Sequence, residues 1–390
     1  MHRARPSSAP SAMRIDRRRW LAGALAAPWL LGQGTVRAQE ASLHIGQSAA
    51  LTGPLGELGR AMHQGAQAAF AAINQRGGVQ GRQIVLTALD DGYDVARAVA
   101  NVDQLLANPQ CFALFGCMGT PTVEAILPQV QAAGMPLFAP FTGTRLTRTP
   151  GTRHVFNIRA SYADEVEKIM RHLATLRVHR LTVAYQNNRF GQEVLAEVQA
   201  AVARLKLPAV ATAAVRDDGT DALDAARQLA AGHPEAVIVA LAGNAALSFV
   251  QAFRPLSAST QVYALSVQGT PASLYTLRTH ATGLAITQVV PQPDSVVTAV
   301  AREFQQAWAG LGQTEEPSHL ALEGYINART FAEALQRAGR NPTRAAFIDA
   351  TWSLQKWNLG GFEINASSPE RSASQFVELT LVGRGGRLMR

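Results

Sequence analysis

Residues 42–91 read SLHIGQSAALTGPLGELGRAMHQGAQAAFAAINQRGGVQGRQIVLTALDD. An aliphatic run, Ser42 to Ala50, gives way to the turn Thr52-Gly53-Pro54. Met62, Ala66, Ala69, Phe70 and Ile73 then recur at helical spacing. Gly77-Gly78 ends that helix, since glycine accepts the left-handed backbone that a helix C-terminus uses. Gln83 to Leu89 supplies a second strand. A strand, a helix and a strand in this order form one unit of a parallel sheet with helices on its faces.

The same grammar continues along the chain. Phe112–Gly116 and Pro136–Ala139 read as strands. After Asn157, Ser161 and Asp164 form a capping pair ahead of Val166, Ile169, Met170, Leu173 and Leu176. Strands follow at Leu181–Tyr185, Ala236–Leu241, Gln261–Leu265 and Gly283–Val290, with helical stretches at Glu193–Leu205, Ala222–Ala231 and Ala245–Phe253 between them. Beyond Pro291 and Pro293, the apolar positions Val297, Val300, Phe304, Trp308 and Leu311 predict one long helix, and His319–Ala338 another. No short-period repeat or low-complexity linker separates the two halves, so the pattern predicts two similar α/β lobes joined by ordered crossings.

Composition narrows the function classes. The chain has 390 residues, 47% of them hydrophobic, and a net charge of +8. That charge is local: residues 1–38 hold seven arginines and the single acid Asp16, so the remainder is nearly balanced and does not call for a nucleic-acid partner. Arg14 to Arg19, the apolar stretch Leu21 to Leu31, and Val36-Arg37-Ala38 make residues 1–38 read as a cleavable signal peptide. Asp16-Arg17-Arg18-Arg19-Trp20-Leu21 resembles a twin-arginine signal, which leaves both export routes open; Met13 is an alternative start. The mature chain is then expected to begin near Gln39 and to work outside the cytoplasm. Cys111 and Cys117, at the two ends of one strand, stand too far apart for a disulfide and are expected as free buried thiols.

Motifs of catalysis are missing: there is no G-x-S-x-G, H-E-x-x-H, C-x-x-C or G-x-x-x-x-G-K. The spacing of Gly53, Gly56 and Gly59, with Glu57 among them, reads as a structural turn rather than a phosphate loop. Asp90-Asp91 reads as turn or cap chemistry before metal binding, and the histidines show no paired spacing. In open α/β sheets, ligands gather beyond the carboxyl ends of strands. Two loops lie there: Gly116–Thr122 and Pro140–Thr144. Pro121 suits the first helical turn, so the Thr120 hydroxyl either caps the helix or grips a ligand anion; Phe141 is either a contact wall or core.

Gly53-Pro54, Gly65-Ala66, Ile73-Asn74, Gly77-Gly78, Gly81, Asp90-Asp91 and Gly119-Thr120 together resemble the leucine/isoleucine/valine-binding family of extracytoplasmic receptors. Tyr185–Gly191 and Leu322-Glu323-Gly324-Tyr325 resemble its later segments. The resemblance implies a type I periplasmic-binding fold, α/β, with two Rossmann-like lobes, parallel-sheet cores and a three-crossing hinge near residues 157–161, 286–292 and 354–362. Lobe I would take residues 39–157 and 290–355, and lobe II residues 158–289 and 360–388. It implies ligand contacts at Thr120, Phe141, Thr142, Gly143 and Thr144 in the first lobe, Leu58 in the first loop and Phe190 on the second lobe. Tyr162, Asn244 and Tyr325 are further implied contacts. It also implies an ABC permease as partner, a monomer, and no cofactor, metal or catalytic residue.

The chain departs from that pattern in two places. The acidic partner of a ligand ammonium falls at Val267, which argues against an ordinary α-amino acid because a buried ammonium needs a counter-charge. The usual disulfide positions fall at Tyr93 and Gly119. A carboxylate, amide or amino-acid-like solute is therefore expected. Alternative readings are a periplasmic sensing subunit docked on a signalling protein, or a secreted enzyme using Asp90, Asp91 or Glu323 as acid or base.

Overall fold

The computed structural model describes residues 42–312, 316–368 and 371–389. The signal peptide expected at residues 1–38, and with it the mature start at Gln39, lies outside the described residues. The first run of elements is β1 (Leu43–Ala49), α1 (Gly56–Gln75), β2 (Ile84–Asp90), α2 (Val95–Ala107), β3 (Cys111–Phe115), α3 (Thr120–Ala132), β4 (Leu137–Phe138) and β5 (Val155–Phe156). Its five strands form one parallel sheet in the order β2-β1-β3-β4-β5. β2 lies at the edge and half-exposes its side chains, whereas the inner strands are almost wholly buried.

The chain then enters a second lobe. Its elements are α4 (Tyr162–Thr175), β6 (Leu181–Gln186), α5 (Arg189–Arg204), β7 (Ala211–Val215), α6 (Ala222–Ala230), β8 (Ala236–Ala240), α7 (Gly243–Leu256), β9 (Gln261–Ala264), α8 (Pro271–Leu277) and β10 (Leu284–Gln288). The capping pair expected at Ser161 is a full capping box: its hydroxyl accepts from the Asp164 N–H and the Asp164 carboxylate accepts from the Ser161 N–H. Central β8, Ala-Val-Ile-Val-Ala, is buried on both faces, as a strand covered by helices on each side must be.

Next α9 (Ala299–Gly310), α10 (His319–Ala338), α11 (Arg344–Trp352) and the short pair β11 (Trp357–Asn358) and β12 (Glu363–Ile364) return to the first lobe. Finally β13 (Glu378–Val382) and β14 (Leu388–Met389) join the second sheet, whose order is β14-β13-β10-β9-β8-β6-β7, with β13 antiparallel to β10. Three passages therefore link the lobes. The described residues of the last, 365–368 and 371–377, come later than the 354–362 expected, because Leu354, Leu359, Phe362 and Ile364 are buried in the first-lobe core and hold the β11–β12 hairpin there.

Two other expectations shift. The helix expected from Val297 begins at Ala299; Val297 is 83% exposed and contributes nothing to the apolar stripe. Strand β7 and helices α2, α8 and α11 are not among the elements predicted above. Helix α10, by contrast, matches its predicted bounds. It is buried on nearly all sides, wedged between α1, α9 and α11. A Cβ on Gly65 would stand 1.8 Å from the Ala321 carbonyl oxygen, and one on Gly324 would stand 2.0 Å from that of Met62, so the α1–α10 seam closes only because both positions are glycine. Phe331 on α10 packs edge-on against Phe70, Phe115 and Phe138. Cys111 and Cys117 are free and buried, and burial pushes the Cys117 thiol up to about 12.

Candidate ligand-binding site

Loops from the carboxyl ends of strands in both lobes meet at the seam. After β3, the chain turns through Met118 and Gly119 into α3. The Thr120 side chain does not cap that helix: Thr122 bonds back to the Met118 carbonyl and to that of Gly119 (3.2 Å) instead. The Thr120 hydroxyl is left facing the seam, 2.8 Å from Thr142 Oγ1 and 3.3 Å from the Tyr162 hydroxyl. All three residues are at least 97% buried. Tyr162 opens α4 of the second lobe, so the trio spans both halves of the molecule. A hydroxyl can donate or accept, and such a trio can converge on one anionic group with no titration of its own.

Apolar walls surround the trio. Leu58, Met118 and Phe141 from the first lobe and Tyr162, Phe190 and Val267 from the second belong to one continuous buried cluster. The Phe190 ring meets Tyr162 edge-on at 5.2 Å. Loop 142–147 is clamped onto the second lobe, with Thr144 Oγ1 donating to Glu193 (2.5 Å) and the Arg145 N–H to the other oxygen of that carboxylate (2.6 Å). Gly143 takes the Tyr162 N–H on its carbonyl (3.0 Å). On the opposite side of the seam, Glu57 at the start of α1 accepts from Thr270 and from Ser273 (3.2 Å), at the N-terminus of α8. The lobes are thus closed on each other around a shielded polar centre.

A match to the family model described as periplasmic binding protein covers residues 42–386. The chain belongs to the periplasmic binding protein family. A substrate-binding periplasmic protein from Ralstonia solanacearum is 30% identical, with a TM-score of 0.82 and coverage of 89% of this chain and 99% of that one. A possible leucine/isoleucine/valine-binding protein from Rhodopirellula baltica is 27% identical, with a TM-score of 0.83 and coverage of 91% and 98%. Among curated sequences, Leu/Ile/Val-binding protein homolog 3 of Brucella melitensis is 25% identical over 171 residues, 43% of this chain and 46% of that protein. The aligned stretch thus spans about half the length of that curated relative. The protein is a solute-binding protein of this family, not an enzyme.

In this binding protein, hydrogen bonds bring Thr120, Thr142, Gly143, Thr144 and Tyr162 together, while Leu58, Phe141, Tyr162, Phe190 and Val267 share one buried apolar cluster. Two residues expected with them are not. Tyr325 lies in the first-lobe core, its ring 5.5 Å from Phe304 and its hydroxyl bonded to Arg329, because α10 turns that side toward α9. Asn244 is exposed at the start of α7, where its N–H reaches the Pro54 carbonyl (3.3 Å). The two positions expected to carry a disulfide elsewhere do touch here: the Tyr93 ring occupies the space a Gly119 side chain would need. Asp90 and Asp91 are turn builders, with Asp90 accepting from the N–H groups of Leu51, Thr52 and Gly92, and Asp91 from Ser48 and the Tyr93 N–H. Among the described residues no His, Cys, Asp and Glu cluster suits a metal.

Sequence reading missed two guanidinium groups, Arg159 buried and Arg148 half-buried. Arg148 donates to the Thr144 carbonyl (2.7 Å), to Ser372 Oγ (2.8 Å) and to the Arg159 carbonyl (3.0 Å), tying the ligand-side loop to the first and third passages. Burial, aided by the like charge of Arg159, lowers it to about 10, so it stays charged at neutral pH. Arg159 itself stacks over the Phe141 ring at 5.0 Å. The available signal was a lone arginine inside Phe156-Asn157-Ile158-Arg159-Ala160, a run otherwise suited to burial. A separate open groove of about 1060 Å³, bordered by Arg60, Gln64, Tyr275, Trp308 and Arg387, shares no residue with the hydroxyl trio.

Proposed function

We propose that the protein is the periplasmic receptor of an ABC transporter, a monomer exported by the signal at residues 1–38 and closing its lobes on a small carboxylate with an apolar, ring-sized body. Thr120, Thr142 and Tyr162 hold the carboxylate, while Phe141, Phe190 and Leu58 contact the body; Gly143, Thr144 and Val267 complete the walls. The observation that carries this reading is the meeting of three buried hydroxyls from both lobes beside the buried guanidinium of Arg159 and the half-buried one of Arg148. Val267 stands where an ammonium would need an acid, and it is apolar and 94% buried. An ammonium there would be buried without a counter-charge, which favours an anion over a zwitterion. The receptor surrenders its solute to a permease without breaking a bond.

Thermal unfolding against a panel of amino acids, aliphatic and aromatic carboxylates, amides and sugars tests the ligand class. A ligand at about 100 times its dissociation constant adds roughly 2.7 kcal/mol, a rise of a few degrees in the midpoint. Carboxylates are expected to give the largest rise; leucine or another amino acid in first place would overturn the assignment. Co-purification with an inner-membrane permease tests the transport role.

A further inference from the structure

Arg159 lies in the first passage between the lobes, and its side chain is 1% exposed. Its Nη2 donates to Ser266 Oγ and stands 3.4 Å from Glu165 Oε1, both in the second lobe. Its Nη1 stands 3.6 Å from Glu323 Oε1 on α10 of the first lobe, and its plane covers the Phe141 ring, also of the first lobe. The two ends differ in kind. Glu165 is fully provided for, accepting from the Ser266 N–H (2.7 Å), Ser266 Oγ (3.0 Å) and Thr287 Oγ1 (2.6 Å). Neither oxygen of Glu323 accepts a hydrogen bond, and Nε and Nη1 of Arg159 donate none, although all four atoms are buried. Hydrogen bonds fix the second-lobe end, whereas proximity of charge alone holds the first-lobe end.

Such an arrangement suits a contact that must form and break as the lobes move, since no directional bond has to be lost on opening. We propose that Arg159 is a positioning residue of the ligand cleft: anchored to Glu165 and Ser266, it docks on Glu323 and the face of Phe141 when the lobes close, and so sets the ligand wall and the closed-state population. The proposal rests on the two-lobe receptor reading given above. Glu323 must carry its charge for that contact. Burial pushes this carboxyl up to about 7, opposed by Arg159 and reinforced by Glu165. The other elements packed on α10 carry charges engaged elsewhere: His63 on α1 is bonded to Gln47, Glu303 on α9 to Arg329, Arg344 on α11 to the carbonyls of Cys111 and Phe112, and Asp349 on α11 to Arg153. Above about pH 7 the carboxylate is ionised and meets Arg159 charge to charge.

The test uses the ligand-free protein, so that its failure is separable from a wrong ligand class. Spin labels on Asp103→Cys in α2 and Asp224→Cys in α6 report the inter-lobe distance; the native thiols are buried and do not react. The expected result at pH 8, where Glu323 is ionised, is a short-distance peak in the parent beside the long one. In Glu323→Gln the short peak is expected to shrink several-fold relative to the long one, since the charge facing Arg159 is gone. Arg159→Met is expected to lose most of the short peak and Arg159→Lys to recover part of it, each with a cooperative unfolding transition. Distance distributions in Arg159→Met and Glu323→Gln that match the parent's would overturn the proposal.

Discussion

At the scale of single residues, the polar centre depends on hydroxyls that the helix does not consume. Thr120→Val keeps the shape and removes one donor-acceptor from a buried trio. Carboxylate binding is expected to weaken roughly 10- to 100-fold, the worth of one hydrogen bond to a charged group, while the free protein loses about 1 kcal/mol. Titration calorimetry and denaturant unfolding measure the two effects separately. Asp90 acts on the fold instead. Burial opposes its ionisation, but the Thr52 hydroxyl and three N–H groups outweigh that and hold its carboxyl at about 2, below the usual range near 3.8. A depressed carboxyl stabilises above its unfolded value, and that contribution fades as pH falls from about 4 through 2. Asp90→Asn is expected to be less stable at pH 7 and to show a shallower loss of stability on acidification, read from unfolding midpoints across that range.

At the scale of elements, the α1–α10 seam is the tightest helix contact in the first lobe, and it rests on two glycines facing backbone. Gly65→Ala would press a methyl onto the Ala321 carbonyl oxygen at 1.8 Å, so the helices must part. Overpacking of this kind costs about 1–3 kcal/mol, expected as a lowered urea midpoint with an unchanged slope. Helix α10 also explains why Glu323 and Tyr325, two residues apart, have different surroundings. Glu323 faces the passage containing Arg159, while Tyr325 is turned about 200° away, toward α9. Sequence spacing identified the helix but not which of its neighbours each side would meet.

At the scale of the whole molecule, closure is fastened at the rim as well as at the centre, and Glu57 joins α1 to α8 across the seam. Glu57→Gln is expected to weaken carboxylate binding several-fold, through faster dissociation, while leaving the ligand-free unfolding midpoint nearly unchanged; stopped-flow displacement and thermal melts check both. The two lobes, most strands and the long helices were legible in the sequence because burial imposes period 2 or 3.6 wherever an element has one inner face. The loops holding Thr120 and Phe141 were legible too, since chain order alone puts them beyond strand ends. The sequence by itself thus determined the fold class and the two loops that form the first-lobe side of the cleft. Only the tertiary structure decided that the Thr120 hydroxyl faces Thr142 and Tyr162 rather than capping its helix, that Tyr325 points into the core, that the last passage follows residue 364, and that Arg159 meets Glu165 and Glu323. Those facts depend on contacts between segments a hundred or more residues apart, where burial and charge act through space and leave no local period to read.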